Sequence, residues 1–428
     1  EVVSVSVTSA DGASLLRYES PLDIPERSAP TLEDDPMEPT GDQMYLDALD
    51  FDKKSDRLEA RRGYKAVIDR DPSPDRDAPA VAALMSLSVL DSEMGRYEHA
   101  KELLDQAQIV DPEDGMILYL RGVANLQLGD LDAALADGSA ATEAARPTPL
   151  GHGLVGRARM RLRDFPKAIA AFEAGLAESD TDHVRLSESH MLATYKLGDI
   201  DRAASAAAAD LESGTVRLVP WAVAALVKKD SGGANLSEVD LVAGAETFAR
   251  SVSWVGETEF AHLELAFALA ELGLVREATA FTRAVLVDNQ DLPRPLPLYT
   301  IAYFEHELGN DEESQRLIVQ ASEVQADYVF PSRTEMIDVL RHAISEKPDD
   351  ARAHAYLGNL YAGLGRFDDA KPEWHRAVET DPSLSVAARN LGLLAWKLDG
   401  DLTAAASWHR AAISARPDDQ TLHRDLAR

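Results

Sequence analysis

Residues 351–382 read ARAHAYLGNLYAGLGRFDDAKPEWHRAVETDP, a stretch in which small and bulky apolar residues recur at helical spacing. Gly358 and Ala370 are small enough to let two antiparallel helices cross closely. Tyr361 and Trp374 are large enough to fill the space beside such a crossing. The stretch therefore predicts two helices that pack against each other and are joined by a short turn.

The ends of these two helices are also marked in the sequence. Gly365 is suited to end the first helix, because glycine adopts the left-handed conformation at little cost. Pro382 stops the second helix, because proline has no backbone N–H to donate. A single helix pair of this kind leaves one apolar side exposed, so it requires stacked neighbours.

The neighbours are found by counting along the chain. With a period of about 34 residues, the same turn and the same small residue recur in eight units. Arg163-Asp164 stands once in place of the turn glycine. The turn glycines are Gly95, Gly129, Gly198, Gly273, Gly309, Gly365 and Gly400. The small residues of the second helices are Ala100, Ala134, Ala168, Ala203, Ala278, Ser314, Ala370 and Ala405.

This series resembles the tetratricopeptide repeat (TPR) superfamily over roughly residues 44–428. The resemblance implies an all-α fold, a right-handed TPR α-solenoid of antiparallel helix pairs that binds proteins or peptides. The spacing by itself indicates only a helical solenoid.

The chain divides into five predicted segments. Residues 1–20 alternate apolar and polar side chains about an Asp-Gly turn, which predicts a β-hairpin. Residues 21–43 are acidic and proline-rich, as is typical of a linker. Residues 44–215 form a first TPR array and residues 257–428 a second one, joined by an irregular helical connector at 216–256 where the pattern is lost.

The start of the chain leads to a further expectation. Residue 1 is not methionine and the chain opens directly in a β pattern. We therefore expect the hairpin to be the remnant of an upstream β domain in a longer protein.

The order of the segments also resembles a bacterial architecture. In it, a galactose-mutarotase-like β-sandwich of unknown function is followed by a proline-rich link and a long TPR tail. The resemblance is carried by SADGASLLRYESP at 9–21, RGYKAVIDRDP at 62–72, DYVFPSR at 327–333 and RNLGLLAW at 389–396. It implies that a sugar site would lie upstream, and it carries no catalytic residue onto this chain.

Composition excludes several classes of function. The formal net charge is −31, which argues against nucleic acid and against an anionic membrane surface as partners. The chain has no cysteine, so disulfides and thiolate sites are excluded. No apolar run approaches the roughly 18 residues of a membrane span. We expect a cytoplasmic protein.

The sequence offers no catalytic residue, metal site or cofactor site. Gly151-His-Gly153-Leu-Val-Gly156 matches a dinucleotide fingerprint by letter, but it follows two prolines rather than a strand. The eleven histidines show neither HExxH nor another metal-ligand spacing. The prediction is therefore a protein that is not an enzyme.

Cations gather at the positions that line the concave face of a TPR array. In the third and fourth regular units these positions include Arg157, Arg161, Arg185, Tyr195 and Lys196. Guanidinium groups pair with carboxylates in a fixed geometry, so this groove is a candidate site for an acidic peptide. The alternative is that these cations pair internally with nearby Asp and Glu.

The C-terminal pair of units supplies a second group of candidates. By the same positional rule these are Arg352, Asn359, Arg389, Asn390, Trp396 and Lys397. The two asparagines match positions by which some TPR domains hold a terminal carboxylate of a peptide. Ala355 stands where such a clamp has a lysine, so a clamp of that type is not favoured.

Two functional hypotheses follow. In the first, the chain is a TPR scaffold that binds a protein or peptide, its own upstream β-sandwich domain included, without catalysis of its own. In the second, it is the accessory C-terminal region of a carbohydrate-active protein whose sugar site lies upstream.

Overall fold

The computed structural model describes residues 3–9, 11–20, 38–71, 75, 78–178, 183–212, 219–220, 223, 258–287, 294–324 and 329–427. The predicted linker and the predicted irregular connector fall largely outside these residues. The chain forms two compact units, Glu1–Thr40 and Gly41–Arg428.

The first unit contains the predicted hairpin. Strand β1 (Val3–Thr8) pairs antiparallel with strand β2 (Ser14–Ser20). The turn between them places Gly12 at a φ of +83°, a conformation that favours glycine. The hairpin therefore forms where the alternating pattern and the Asp-Gly signal predict it.

The second unit is helical, and its N-terminal part consists of five antiparallel pairs. The helices are α1 (Gly41–Lys53), α2 (Arg57–Arg70), α3 (Pro79–Glu93), α4 (Tyr97–Val110), α5 (Gly115–Gln127), α6 (Leu131–Glu143), α7 (Leu150–Arg161), α8 (Phe165–Glu178), α9 (His183–Leu197) and α10 (Ile200–Glu212).

The C-terminal part continues the pairing after the connector. Its helices are α11 (Thr258–Glu271), α12 (Val275–Val287), α13 (Pro295–Glu307), α14 (Asp311–Glu323), α15 (Met336–Glu346), α16 (Ala351–Gly363), α17 (Phe367–Thr380), α18 (Ser385–Leu394), α19 (Leu402–Ala415) and α20 (Gln420–Ala427). A π-helical turn (Ala395–Asp399) follows α18. The all-α prediction is confirmed, with 20 α-helices in the described part and one small sheet.

The small and large residues of each unit meet as the sequence predicts. A Cβ atom built on Gly358 would lie 2.6 Å from the indole of Trp374, and Ala370 is fully buried beside them. In the third regular unit, a Cβ atom built on Gly156 would lie even closer to the ring of Phe172. The close crossings therefore depend on the absence of a side chain at the glycine.

The turns between paired helices share one left-handed residue. Gly365 has a φ of +75°, and Arg163 takes the same conformation with a φ of +60° where the glycine is missing. Ser55 does so between α1 and α2, although no sequence pattern marks it. Helix α13 begins at Pro295, because proline at the first helical position lacks only an N–H that would be unpaired there.

The helical unit also closes on itself between its first regular unit and its C-terminal units. The guanidinium of Arg366 donates to the backbone oxygens of Met94, at 3.0 Å, and Gly95, at 3.3 Å. Arg96 pairs with Asp369 at 3.2 Å. These contacts join α3 and α4 to α16 and α17 across most of the chain. No helix of the described residues is long and apolar enough to cross a membrane.

Candidate functional site

The predicted cationic groove lies where α7 and α9 face α11 and α12. Arg157 is buried on α7 and donates to Glu271 at 2.7 Å. Lys196, at the end of α9, donates to Glu277 at 2.5 Å. Both cations are therefore held by carboxylates of the second array, which is the internal pairing left open by the sequence.

The other three residues of that groove have different surroundings. The Arg161 guanidinium donates to the backbone oxygen of Leu126 at 2.6 Å. Tyr195 is buried, whereas Arg185 is exposed on α9. We call Arg157, Arg161, Arg185, Tyr195 and Lys196 the cationic face. A ligand carboxylate that took Arg157 or Lys196 would have to displace a carboxylate of the chain itself.

Arg161 also lines a small cavity of about 150 Å³ between the two arrays. Tyr97, Tyr303 and Asp338 face the same space. Loss of water contact, together with the nearby charges of Glu307 and Asp338, raises the pKa of Tyr303 to about 12. The pKa of Asp338 is raised by the same desolvation, although its carboxylate still reaches solvent. The sequence gives no sign of this cavity, because its walls come from helices far apart in the chain.

The two candidate asparagines of the C-terminal pair do come together. The amide nitrogen of Asn390 donates to the oxygen of Asn359 at 3.0 Å. The indole N–H of Trp374 donates to the same oxygen at 3.0 Å. The amide nitrogen of Asn359 donates to the backbone oxygen of Val329 at 3.1 Å. Three hydrogen bonds therefore join the Asn359 side chain to Asn390, to Trp374 and to the backbone at Val329.

The other C-terminal candidates make contacts of their own. Arg352 donates to the backbone oxygen of Val324 at 2.9 Å. Arg389 donates to Asp425 of helix α20 at 2.8 Å. The indole of Trp396 lies 5.6 Å from the ammonium nitrogen of Lys397. Arg389 therefore ties the last helix to the array, and Trp396 lies beside an exposed cation.

Asn359 and Asn390, but not Arg389 or Trp396, line a larger cavity of about 440 Å³, which we call the C-terminal cavity. Its walls are mainly apolar, and Asn359, Asn390 and Lys397 form their polar part. A volume of this size with few polar groups is typical of ligand pockets. The apolar walls include Phe330, Phe367, Trp374, Leu393, Leu394 and Leu398.

Other chemistry-bearing residues serve the fold in the described part of the chain. No group of three or more His, Asp or Glu side chains there could hold a metal ion. Gly151 and Gly153 lie inside α7, with no strand before them, so the dinucleotide fingerprint is part of a helix. His354 contacts Glu373 at 2.6 Å between α16 and α17.

Comparison with known proteins bears on the repeats. The family model described as tetratricopeptide repeat matches residues 90–149 and 357–420. The chain contains tetratricopeptide repeats. The second of these segments covers α17, α18 and the second half of α16, which contribute to the C-terminal cavity. No curated protein matches the chain.

Among the solved structures similar to the chain, two are described as tetratricopeptide repeat proteins. A tetratricopeptide repeat protein from Parabacteroides merdae ATCC 43184 has 13% identity and a TM-score of 0.41, over 72% of this chain and 98% of its own. MamA has 23% identity and a TM-score of 0.33, over 37% of this chain and 89% of its own. The P58(IPK) TPR domain has 15% identity and a TM-score of 0.26, over 81% and 96%. At these TM-scores the similarities carry no argument about function.

The comparisons give no support to a galactose-mutarotase-like domain. They neither support nor refute the hypothesis of an accessory region in a carbohydrate-active protein. That hypothesis remains a prediction from the sequence.

Proposed function

We propose that the chain is a non-catalytic protein-interaction scaffold and that its partner binds in the C-terminal cavity. TPR repeats generally bind proteins or peptides. The observation that supports this site is an apolar space of about 440 Å³ that none of the described residues fills. Burial of apolar partner surface there would supply the main driving force.

The rest of the C-terminal pair suits this role. Asn359 and Asn390 are held by internal hydrogen bonds, so they form a rigid wall of the cavity. A rigid wall lowers the cost of ordering the site when a partner binds. The Arg389–Asp425 bond holds helix α20 against the same units.

The cationic face is the weaker proposed site. Its exposed Arg185 can pair directly with an acidic group of a ligand, whereas Arg157 and Lys196 already pair with carboxylates of the chain. At Arg157 or Lys196, an acidic ligand would replace one ion pair with a similar one. The gain in binding free energy is therefore only the difference between the two pairs. We therefore place the principal partner at the cavity and a secondary acidic contact at Arg185.

The proposal is tested by filling the cavity. Gly363 lines it from the end of α16, and a Cβ atom added at Gly363 would meet nothing within 4 Å. Gly363→Trp should occupy the cavity without disturbing the helix crossing, and Gly363→Ala is its matched control. A peptide is first selected from a displayed library on the wild-type chain. Its affinity for each variant is then measured by titration calorimetry.

We expect Gly363→Ala to bind the selected peptide as the wild type does. Gly363→Trp should lose at least about 10-fold in affinity, the loss that corresponds to about 1.4 kcal/mol. Equal affinity of Gly363→Trp and the wild type would overturn the proposed site, as would failure of the library to yield any binding peptide.

A further inference from the structure

The last TPR unit departs from the others by one residue. Gly392 packs on the ring of His409 as Gly358 packs on Trp374, but one more residue separates the first two. The additional residue is taken up by the π-helical turn Ala395–Asp399. Turns of this kind are rare and occur frequently at functional sites.

The π-helical turn contributes directly to the C-terminal cavity. It supplies Lys397 and Leu398 to the cavity lining. One additional residue in a helix rotates the side chains after it by about 100°. The insertion therefore decides which side chains of the last unit face the cavity.

Lys397 is the one charged residue among the described residues that line the cavity. Its ammonium group is exposed beside the Trp396 ring, and within the described ranges no carboxylate lies within ion-pair distance of it. The carboxylate of nearby Asp399 already forms an ion pair with the ammonium nitrogen of Lys371 at 2.6 Å. In a chain of net charge −31, a cation at the mouth of an apolar cavity selects for a negative group.

We propose that the C-terminal cavity takes a segment of a partner protein in which a bulky apolar side chain lies next to an Asp or Glu. The apolar side chain enters between Leu393, Leu394 and Leu398, and the carboxylate pairs with Lys397. This inference rests on the proposed function and names the chemistry of the partner at that site. Charge complementarity at Lys397 and the apolar character of the walls carry it.

The shape of the cavity fits this ligand. A volume of about 440 Å³ is larger than one aromatic side chain, so it holds the side chain and part of its backbone. Asn359 uses its amide nitrogen and its oxygen internally. Discrimination between partners then falls to the apolar walls and to Lys397.

The test is a selection from a displayed library of twelve-residue peptides randomised at all positions. It is run in parallel on the wild type, on Lys397→Glu and on Gly363→Trp. The wild type should enrich peptides in which Phe, Trp or Leu adjoins Asp or Glu. Lys397→Glu should enrich the same apolar residues next to Lys or Arg. Gly363→Trp should enrich neither.

The outcomes separate this inference from the proposed function. If the wild type enriches apolar peptides without an adjoining acid, or if Lys397→Glu does not reverse the charge preference, the inference fails and the scaffold site stands. If Gly363→Trp enriches the same peptides as the wild type, or nothing is enriched at all, both fail.

A peptide enriched on the wild type is then used to test whether a fatty acid or a second copy of the chain occupies the cavity instead. Sodium decanoate is added to the complex, and the wild-type chain alone is studied by sedimentation at rising concentration. We expect decanoate not to displace the peptide at equimolar concentration and the chain alone not to associate through the cavity. Displacement by decanoate, or self-association that Gly363→Trp abolishes, would overturn a protein segment as the occupant.

Discussion

The cationic face and the C-terminal cavity lie in the same kind of repeat, yet their functional residues are used differently. On the cationic face, Arg157 and Lys196 form ion pairs with Glu271 and Glu277 of the second array. In the C-terminal cavity, Phe330 and Leu398 of the apolar walls are exposed, and so is Lys397 at their edge.

The difference shows why a cluster of cations is a poor guide to a binding site in an acidic solenoid. An array that curves back on itself brings distant carboxylates to its own arginines, so the charges stabilise the fold. An apolar cavity cannot be satisfied in this way, since its walls gain from burial only when another molecule covers them. Shape therefore separates the two regions better than charge does.

The largest loss of stability is expected at Gly358, where the crossing of α16 and α17 has no room for a side chain. Gly358→Val should lower the free energy of unfolding by about 3 kcal/mol, because its side chain would overlap the buried ring of Trp374. Gly363→Ala is the matched change in the same helix, and it should leave stability unchanged or raise it by up to about 1 kcal/mol. Urea denaturation of both variants measures the contrast. Similar stability for the two would contradict the packing described for α16.

A smaller effect is expected on the cationic face. Arg157→Ala should lower the free energy of unfolding by about 2 kcal/mol, because it leaves the Glu271 carboxylate without its charged donor. The control is Arg376→Ala, which removes an exposed pair with Glu379 at 3.8 Å and should cost less than about 0.5 kcal/mol. If both changes cost the same, Arg157 is free for a ligand, and the contrast between the two regions weakens.

The smallest effect is expected on the pH dependence of stability, through His409 in the last unit. His409 is buried, its ring nitrogens have no hydrogen-bond partner in the described part of the chain, and burial lowers its pKa. Asp425 opposes this shift and Arg389 adds to it. The folded state therefore favours the neutral ring, so its stabilising contribution is complete above the ordinary pKa of 6.5 and is lost as pH falls through the folded pKa.

The comparison variant is His409→Phe. Between pH 8 and pH 5 its melting temperature should fall less than that of the wild type, because phenylalanine does not titrate. A fall should remain in both proteins, because both keep His342, His190 and His99, whose pKa values are also lowered. Equal falls in the two proteins would show that His409 titrates as it does in the unfolded chain.

The fold could be predicted largely because its determinants are local. Gly358, Ala370 and Trp374 sit within one helix pair, so their spacing in the sequence fixes their contact. The left-handed turn at Gly365 is local in the same sense, and even Arg163 could be placed there by counting. Ser55 was missed because serine carries no preference for that conformation.

The site could be predicted only in part, because its decisive contacts are distant in sequence. Asn359 and Asn390 meet as their repeat positions imply. Glu271 reaches Arg157 only through the curvature of the whole array, and no repeat pattern encodes that curvature. The contact of Arg366 with Met94 was hidden for the same reason.

The central claim is that a partner binds at the C-terminal cavity rather than on the cationic face. It is tested most directly by methyl NMR of the chain labelled at leucine and methionine, titrated with the selected peptide. Binding at the cavity should shift the methyl signals of Leu393 and Leu398 and leave those of Met160 and Leu192, on α7 and α9, unchanged. Shifts confined to Met160 and Leu192 would contradict it.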